Sequence, residues 1–377
     1  MISALVGARV GIVGGGQLGR MLILEGKPLG IRFGVLSPRA DDPASELADV
    51  YVQGELSDAS AILRLAEWAD VITIEIEHVS IEGLRLAAAN RVPAHPAADV
   101  LDRINDKLVQ KRVLFDAGVP VGPFSESFER FPVVQKSRHG GYDGRGVAVL
   151  RNESSARLPG ATYYETPVDI ASELAVVVAR SAQGEERTFP VVEMQFDPDA
   201  NICTHVLSPA RVDTTIEERS QAIAIGAARA LDIVGLLAVE LFLTRDGSLL
   251  VNEVAPRPHN SGHLTIDCCE TSQFEQHLRA ILGAPLGSTR SHSAGVMRNL
   301  LGASDAIGTP RLPNVEKLLS QPGCHLHWYG KHSVKPTRKM GHVTVTAPTL
   351  ELAISACDGL ESALIVESED HGAEQEA

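Results

Sequence analysis

Apolar residues recur along this chain in two rhythms. From residue 8 to about 96, short unbroken apolar runs alternate with segments whose apolar positions fall on one helical face. ARVGIVG (8–14) predicts a buried strand, and LGRMLILEGKPLG then sets Leu18, Met21, Leu22 and Leu24 at helical spacing. IRFGVLSP predicts a second strand, AILRLAEWAD a helix, and VITIEIEHV a further strand. Such alternation belongs to a parallel α/β sheet with helices on its faces. INDKLVQKRVLFDAGVP (104–120) predicts one helix, stopped by Gly118 and Pro120. Beyond it, FPVVQKS, GVAVLR, TYYETPV, ELAVVVAR and TFPVVEM predict strands joined by tight turns. SQAIAIGAARALDIVG predicts a helix, LLAVELFLTRDGSLLVNEV a hairpin, and TSQFEQHLRAILG a closing helix. The expected organisation is an α/β unit at 1–100, an α+β unit at 101–288, and a smaller, mainly β unit at 289–366. The last residues, ESEDHGAEQEA (367–377), carry five acids and no apolar anchor and are expected to be disordered.

Composition narrows the classes. The 377 residues are 44% hydrophobic, ample for buried cores, and no apolar run approaches the length needed to cross a bilayer. MISALVGARVGIVGGG runs directly into a strand and lacks the features of a signal peptide, so a cytoplasmic location is expected. The five cysteines lack framework spacing and read as reduced thiols. A net charge of −14 argues against nucleic acid as a partner, but not against small anions held by local cations.

Four stretches carry candidate chemistry. In GIVGGGQLGR, Gly14, Gly16 and Gly19 fit the glycine spacing of a dinucleotide-binding turn. That fold wants an acidic residue at the end of its second strand, where Leu36-Ser37-Pro38 stands instead. The turn is therefore either a tight strand-to-helix connection or an anion site at a helix N-terminus. In KSRHGGYDGRGV (136–147), glycines with Lys136 and Arg145 suit a loop closing around phosphate. In the 235–255 hairpin, a two-residue Asp246-Gly247 turn sets Glu240 opposite Glu253, with Leu237, Val239, Leu241, Leu243 and Leu250 on the other face. Like charges so placed are destabilising unless both reach solvent or a divalent cation lies between them. APRPHNSGH (255–263) packs Arg, His, Asn and Ser into one extended stretch, as an active-site wall or a hydrogen-bonded loop.

With GGGQLGRM, DRINDK, GGYDGRG, VEMQF, the Glu240/Glu253 pair, NEVAPRPHNSGH, SQFEQHLRAI, HLHWYGK and RKMGH in this order, the chain resembles the ATP-grasp superfamily. Within it, the likeness over residues 8 to 345 is to the 5-(carboxyamino)imidazole ribonucleotide synthetases of purine biosynthesis. The resemblance implies a Rossmann-like pre-ATP-grasp domain that binds no NAD, an ATP-grasp domain of two α+β halves, and a small C-terminal domain. It implies that ATP meets Arg103, Lys136, Glu173 at the ribose, Asn252, and the strand Glu165, Thr166, Pro167 and Val168. Gly141, Tyr142, Asp143, Gly144, Arg145, Gly146 and Val147 would form the lid over its phosphates, and Glu240 and Glu253 would carry Mg²⁺. Gln17, Leu18, Glu77, Asn260, Lys331, Arg338 and Lys339 would hold aminoimidazole ribonucleotide, with the glycine turn facing it. Arg257 and His259 would serve bicarbonate, with Arg145 assisting phosphoryl transfer, and a homodimer is the family expectation. Phe196, Ala255 and Val147 depart from residues common in the family. The competing expectations are a formate-dependent glycinamide ribonucleotide transformylase of the same superfamily, an NAD-dependent oxidoreductase and a non-catalytic nucleotide sensor.

Overall fold

The computed structural model describes residues 5–140, 146–196 and 202–369. The first strands are β1 (Arg9–Val13), β2 (Arg32–Ser37), β3 (Val50–Gln53), β4 (Val71–Ile74) and β5 (Ala94–His95). They pair in parallel in the order β3-β2-β1-β4-β5. Helices α1 (Gln17–Gly26), α2 (Ala59–Ala66) and α3 (Ile81–Ala89) make the crossovers. Asp58 and Ser80 cap the last two through their side chains.

The expected 104–120 helix is in fact the second of two. α4 (Ala98–Asn105) ends where Asp106 leaves helical geometry, and α5 runs Lys107–Asp116. The Asp106 carboxylate accepts from the amides of Leu108 and Val109, so it starts a helix where apolar spacing alone would continue one. Gly118 takes φ +75° just past the end of α5, the left-handed stop its sequence position predicts.

A four-stranded antiparallel sheet follows, made of β6 (Phe124–Ser125), β7 (Val133–Ser137), β8 (Val147–Leu150) and β9 (Thr162–Glu165). The large sheet takes β10 (Ile170–Arg180), β11 (Glu186–Thr188), β12 (Val192–Phe196), β13 (Cys203–Ser208), β14 (Gly235–Thr244) and β15 (Leu249–Ala255). α6 (Thr214–Ala230) covers one face, packing Ala224, Ala227 and Ala228 against Leu174, Val176, Leu237, Val239 and Leu241. The opposite face carries the intervening residues, and α7 (Thr265–Cys268) and α8 (Gln273–Leu282) cover part of it.

The expected boundary near residue 288 is not a break in the sheet. β16 (Ala294–Gly302) pairs with β13, and β19 (Lys339–Ala347) and β18 (Cys324–Trp328) continue outward. Short β17 (Pro310–Arg311) and β20 (Ile365–Ser368) complete eleven strands. β20 also places Glu367 and Ser368, expected in the disordered tail, in a strand; residues 370–377 lie outside the described ones. None of the five cysteines is in a disulfide. Among the described residues no helix is long and apolar enough to cross a membrane.

Candidate active site

The hairpin of β14 and β15 sets Glu240 opposite Glu253, but not by the expected route. The strands stop at Thr244 and restart at Leu249, and Leu243 faces Leu249, so the connection is longer than two residues. Leu241 faces Val251, one step out of the register that a two-residue turn imposes. A bulge at Asn252 restores it, because the ladder jumps from Leu241/Val251 to Glu240/Glu253. Consequently Leu249 and Val251, not Leu250, join Leu237, Val239 and Leu241 in the core. A bulge also re-aims a side chain. Asn252 and Glu253 both line the same cavity as Glu240, and Asn252 Oδ1 accepts from Lys136 Nζ at 2.9 Å.

That cavity, about 800 Å³, lies between the large sheet, the four-stranded sheet and the N-terminal unit. Burial, then the Glu253 and Glu173 carboxylates, push the Glu240 carboxyl up to about 8. Glu253 is paired with Lys107, 2.7 Å from Oε2 to Nζ. Among the described residues no group of three or more His, Cys, Asp or Glu side chains is arranged to hold a metal. The glutamate pair alone therefore fits a cation that completes its shell elsewhere, as Mg²⁺ does with substrate phosphates and water.

Behind this pair lies a buried cationic cluster. Lys136 Nζ sits 3.0 Å from Glu165 Oε2, Lys111 closes on Oε1, and the Tyr163 hydroxyl donates to Oε1 at 3.1 Å. Burial would raise Glu165, but the two lysines outweigh it and hold the carboxylate below its ordinary range. Thr166, Pro167, Val168, Glu173, Gly146 and Val147 line the cavity beside it, with Phe196 and Met194 on its apolar side. Burial raises Glu173, with Lys136 opposing.

The N-terminal unit supplies the opposite wall through Gln17, Leu18 and Glu75. The α1 N-terminus does hold an anion, but it is the protein's own. Glu75 accepts from the amides of Gly16 and of Gly19, the latter at 2.9 Å. A Cβ on Gly14 or Gly16 would lie 2.3 or 2.6 Å from the Glu75 side chain, and Gly14 has φ +120°. The glycine spacing thus admits a carboxylate, and the amides that would receive a dinucleotide pyrophosphate are already engaged.

The 255–263 stretch forms the floor. Arg257 pairs with Glu77 at 2.8 Å. His259 Nδ1 accepts from the Ser261 amide at 3.3 Å, so the neutral ring carries its proton on Nε2, 3.4 Å from Glu240 Oε1. Burial, with Arg257 and Lys339 nearby, lowers His259 to about 3. Lys339 lines the cavity at a bulge of β19, where the register slips between Leu300/Gly341 and Leu301/Lys339. Lys331 donates to the Lys339 carbonyl at 2.7 Å, and burial with Arg338 and Lys339 lowers its ammonium to about 8. Arg338 donates to the carbonyl and hydroxyl oxygens of Ser333, both at 2.7 Å.

Of the residues expected to touch ligands, Arg103, Glu77, Lys331 and Arg338 do not line the cavity. Arg103 lies on the exposed face of α4, whereas Lys107, the first residue of α5 beyond the Asp106 break, lines the cavity. Gly141, Tyr142, Asp143, Gly144 and Arg145 lie outside the described residues. The sequence reading missed Lys107, Lys111 and Glu75. Lys107 and Lys111 share one face of α5 at helical spacing, a signal that was present. Nothing local marks Glu75 as the partner of a turn some sixty residues earlier.

Three family models cover most of the chain: a ribonucleotide synthetase preATP-grasp domain at 8–105, an ATP-grasp domain at 123–274, and a phosphoribosylaminoimidazole carboxylase C-terminal domain at 295–356. The chain is 39% identical over 355 residues to N5-carboxyaminoimidazole ribonucleotide synthase of Bacillus subtilis, covering 90% of this chain and 91% of that one. The crystal structure of the Thermotoga maritima synthetase superposes with a TM-score of 0.89 at 41% identity, covering 96% of this chain and 100% of that one. The Aspergillus clavatus synthase, solved with ADP and 5-aminoimidazole ribonucleotide, gives a TM-score of 0.84 at 32% identity, covering 96% and 99%.

Proposed function

The chain belongs to the N5-carboxyaminoimidazole ribonucleotide synthase family of ATP-grasp enzymes, and from that premise we propose how its cavity works. It is an ATP-dependent ligase that carboxylates 5-aminoimidazole ribonucleotide in purine biosynthesis. In our reading ATP lies with its base along Glu165–Val168, its ribose toward Glu173, and its phosphates toward Lys136, Lys107 and Asn252. Glu240 and Glu253 hold Mg²⁺, which when bound neutralises charge on the phosphate oxygens. The 141–147 loop, with Arg145, covers the phosphates and excludes water from a hydrolysable intermediate.

Bicarbonate lies by Arg257 and His259. One of its oxygens attacks the γ-phosphorus, ADP leaves, and carboxyphosphate forms. The amine of the ribonucleotide then attacks the carboxyl carbon, or CO₂ released from it; phosphate departs and the amine gives up a proton. Arg257 supplies fixed positive charge, and His259, neutral by burial, supplies an Nε2–H donor. Gln17, Leu18, Asn260 and Lys339, which line the cavity, take the ribonucleotide, with Glu77 behind Arg257 and with Lys331 and Arg338 adding positive charge behind Lys339 on the phosphate side. We place the enzyme in the cytoplasm as a homodimer, which sedimentation would read as twice the 40.2 kDa chain.

The observation that carries this reading is the Glu240/Glu253 pair lining one cavity with Lys136 and Asn252. ADP release tests it, measured with each ribonucleotide and with bicarbonate or formate. Release should require aminoimidazole ribonucleotide and bicarbonate, and Glu253→Gln should abolish it without loss of folding. Turnover with formate and glycinamide ribonucleotide, or near-normal turnover of Glu253→Gln at low Mg²⁺, would sink it.

A further inference from the structure

The floor of the cavity, from Arg257 to His263, has no sheet to hold it, yet it presents His259, Asn260 and His263. Its anchor lies outside the cavity. Gln273, the first residue of α8, is fully buried and does not line the site. Its Oε1 accepts from the His259 amide at 2.9 Å, and its Nε2 donates to the His259 carbonyl at 2.8 Å. The remaining Nε2 hydrogen points to His263 Nδ1 at 3.0 Å. Because the His259 amide can only donate, the orientation of the carboxamide is settled, and His263 must carry its proton on Nε2.

Two further features fit a built clamp. A Cβ on Gly262 would lie 2.5 Å from Gln273 Oε1, so only glycine lets this loop lie flat on the amide. The Gln273 backbone N–H in turn donates to Thr265 Oγ1 at 2.8 Å, closing the segment at its far end. Asn offers the same planar amide one methylene short, and Glu offers the same shape with no donor.

We propose that Gln273 is a positioning residue for the carboxylation reaction: its amide fixes where the His259 imidazole stands and which nitrogen of His263 holds the proton. This rests on the reading of the cavity given above. Misplacing a reacting group by about 1 Å can cost on the order of a hundredfold in rate. The adenine strand and Lys136 belong to other elements, so ATP affinity should not follow.

The test uses the full chain with Gln273→Glu and Gln273→Met. The expected result is a kcat lower by about tenfold to a hundredfold with the KM for ATP unchanged. Long-range ¹H–¹⁵N histidine spectra of the wild type should show His263 protonated on Nε2 alone, and Gln273→Met should lose that single form. Retained kcat in folded variants, or a KM for ATP that rises as kcat falls, would overturn the proposal. So would a His263 proton on Nδ1 in the wild type, which decides the matter even if both variants fail to fold. Absence of bicarbonate-dependent ADP release in the wild type would instead count against the functional reading, leaving the spectra to judge the clamp.

Discussion

Thr337 has φ +61°, a left-handed backbone that a β-branched side chain resists. The surrounding hydrogen bonds impose it. Its amide donates to the Gly302 carbonyl at 2.9 Å, and the Gly302 amide donates to the Arg338 carbonyl at 3.0 Å. The strain thus sits in the turn that delivers Arg338 and Lys339. Thr337→Gly should remove roughly 1–2 kcal/mol of strain and add glycine's entropic cost of roughly 0.5–1 kcal/mol. The expected outcome is a small net gain in urea-unfolding stability; a loss would show the turn is not strained. Lys111 makes the opposite case. It never reaches the cavity, and its side chain and that of Glu165 are only 4% and 9% exposed. Lys111→Met should cost about 3 kcal/mol of stability, because Glu165 would keep a buried charge with one lysine fewer. Lys136→Met should instead raise the KM for ATP, and the contrast between melting curves and kinetics separates the two lysines. The acidic pair was legible in the sequence, since hairpin periodicity puts Glu240 and Glu253 on one face. The register came out right through two compensating irregularities, a longer turn and the Asn252 bulge, neither of which the local pattern announces.

Among the elements, α8 does the most to join the parts. Phe274, Leu278, Ile281 and Leu282 sit in the same core as Ile12 and Phe33 of the N-terminal sheet and Met21 and Leu22 of α1. On its other side, His277 Nδ1 accepts from the Leu236 amide at 3.3 Å at the start of β14, and its Nε2 lies 2.8 Å from Thr73 Oγ1 in β4. The helix thereby fixes the carboxylate hairpin relative to the glycine turn, and its first residue holds the cavity floor. Phe274→Ala should cost about 3–5 kcal/mol. If α8 is the joint, the same variant should raise the KM for the ribonucleotide more than that for ATP; unchanged kinetics would deny it that role. The periodic pattern predicted this helix but not its place, because eight of its ten residues are buried and an amphipathic reading looks for one wet face. For a related reason the continuation of the large sheet into the 289–366 unit was not legible: strands announce themselves by alternation, whereas the pairing of β13 with β16 joins residues some ninety positions apart. The break at Asp106 was missed because a capping aspartate leaves no gap in the apolar spacing.

Over the whole molecule the buried titratable groups pull stability in two directions with pH. Burial lowers His95 and His205 to about 4, His259 and His277 to about 3, and His263 and His342 well below their ordinary value. Below an unfolded pKa of about 6.5 the unfolded chain binds protons that these folded rings refuse, so stability falls as pH falls through that window. Burial raises Glu25, Glu75, Glu173 and Glu240, the last to about 8. Of these, the folded Glu240 carboxyl keeps a proton that the unfolded chain has lost, so its contribution is full below an unfolded pKa of about 4.5 and is lost as pH rises through about 8. Each group can contribute at most about 1.4 kcal/mol per pH unit. The lowered imidazoles outnumber the Glu240 carboxyl where the two windows overlap, and between pH 6.5 and 8 the Glu240 carboxyl still loses stability as pH rises. Thermal stability of the ligand-free protein should therefore peak near pH 6.5. Mg²⁺–ADP removes the reason for the Glu240 proton, so it should raise the melting temperature more at pH 8 than at pH 6, and Glu240→Gln should erase that difference. A flat profile, or an equal shift at both pH values in the wild type, would mean that the paired carboxylates do not share a cation with the nucleotide.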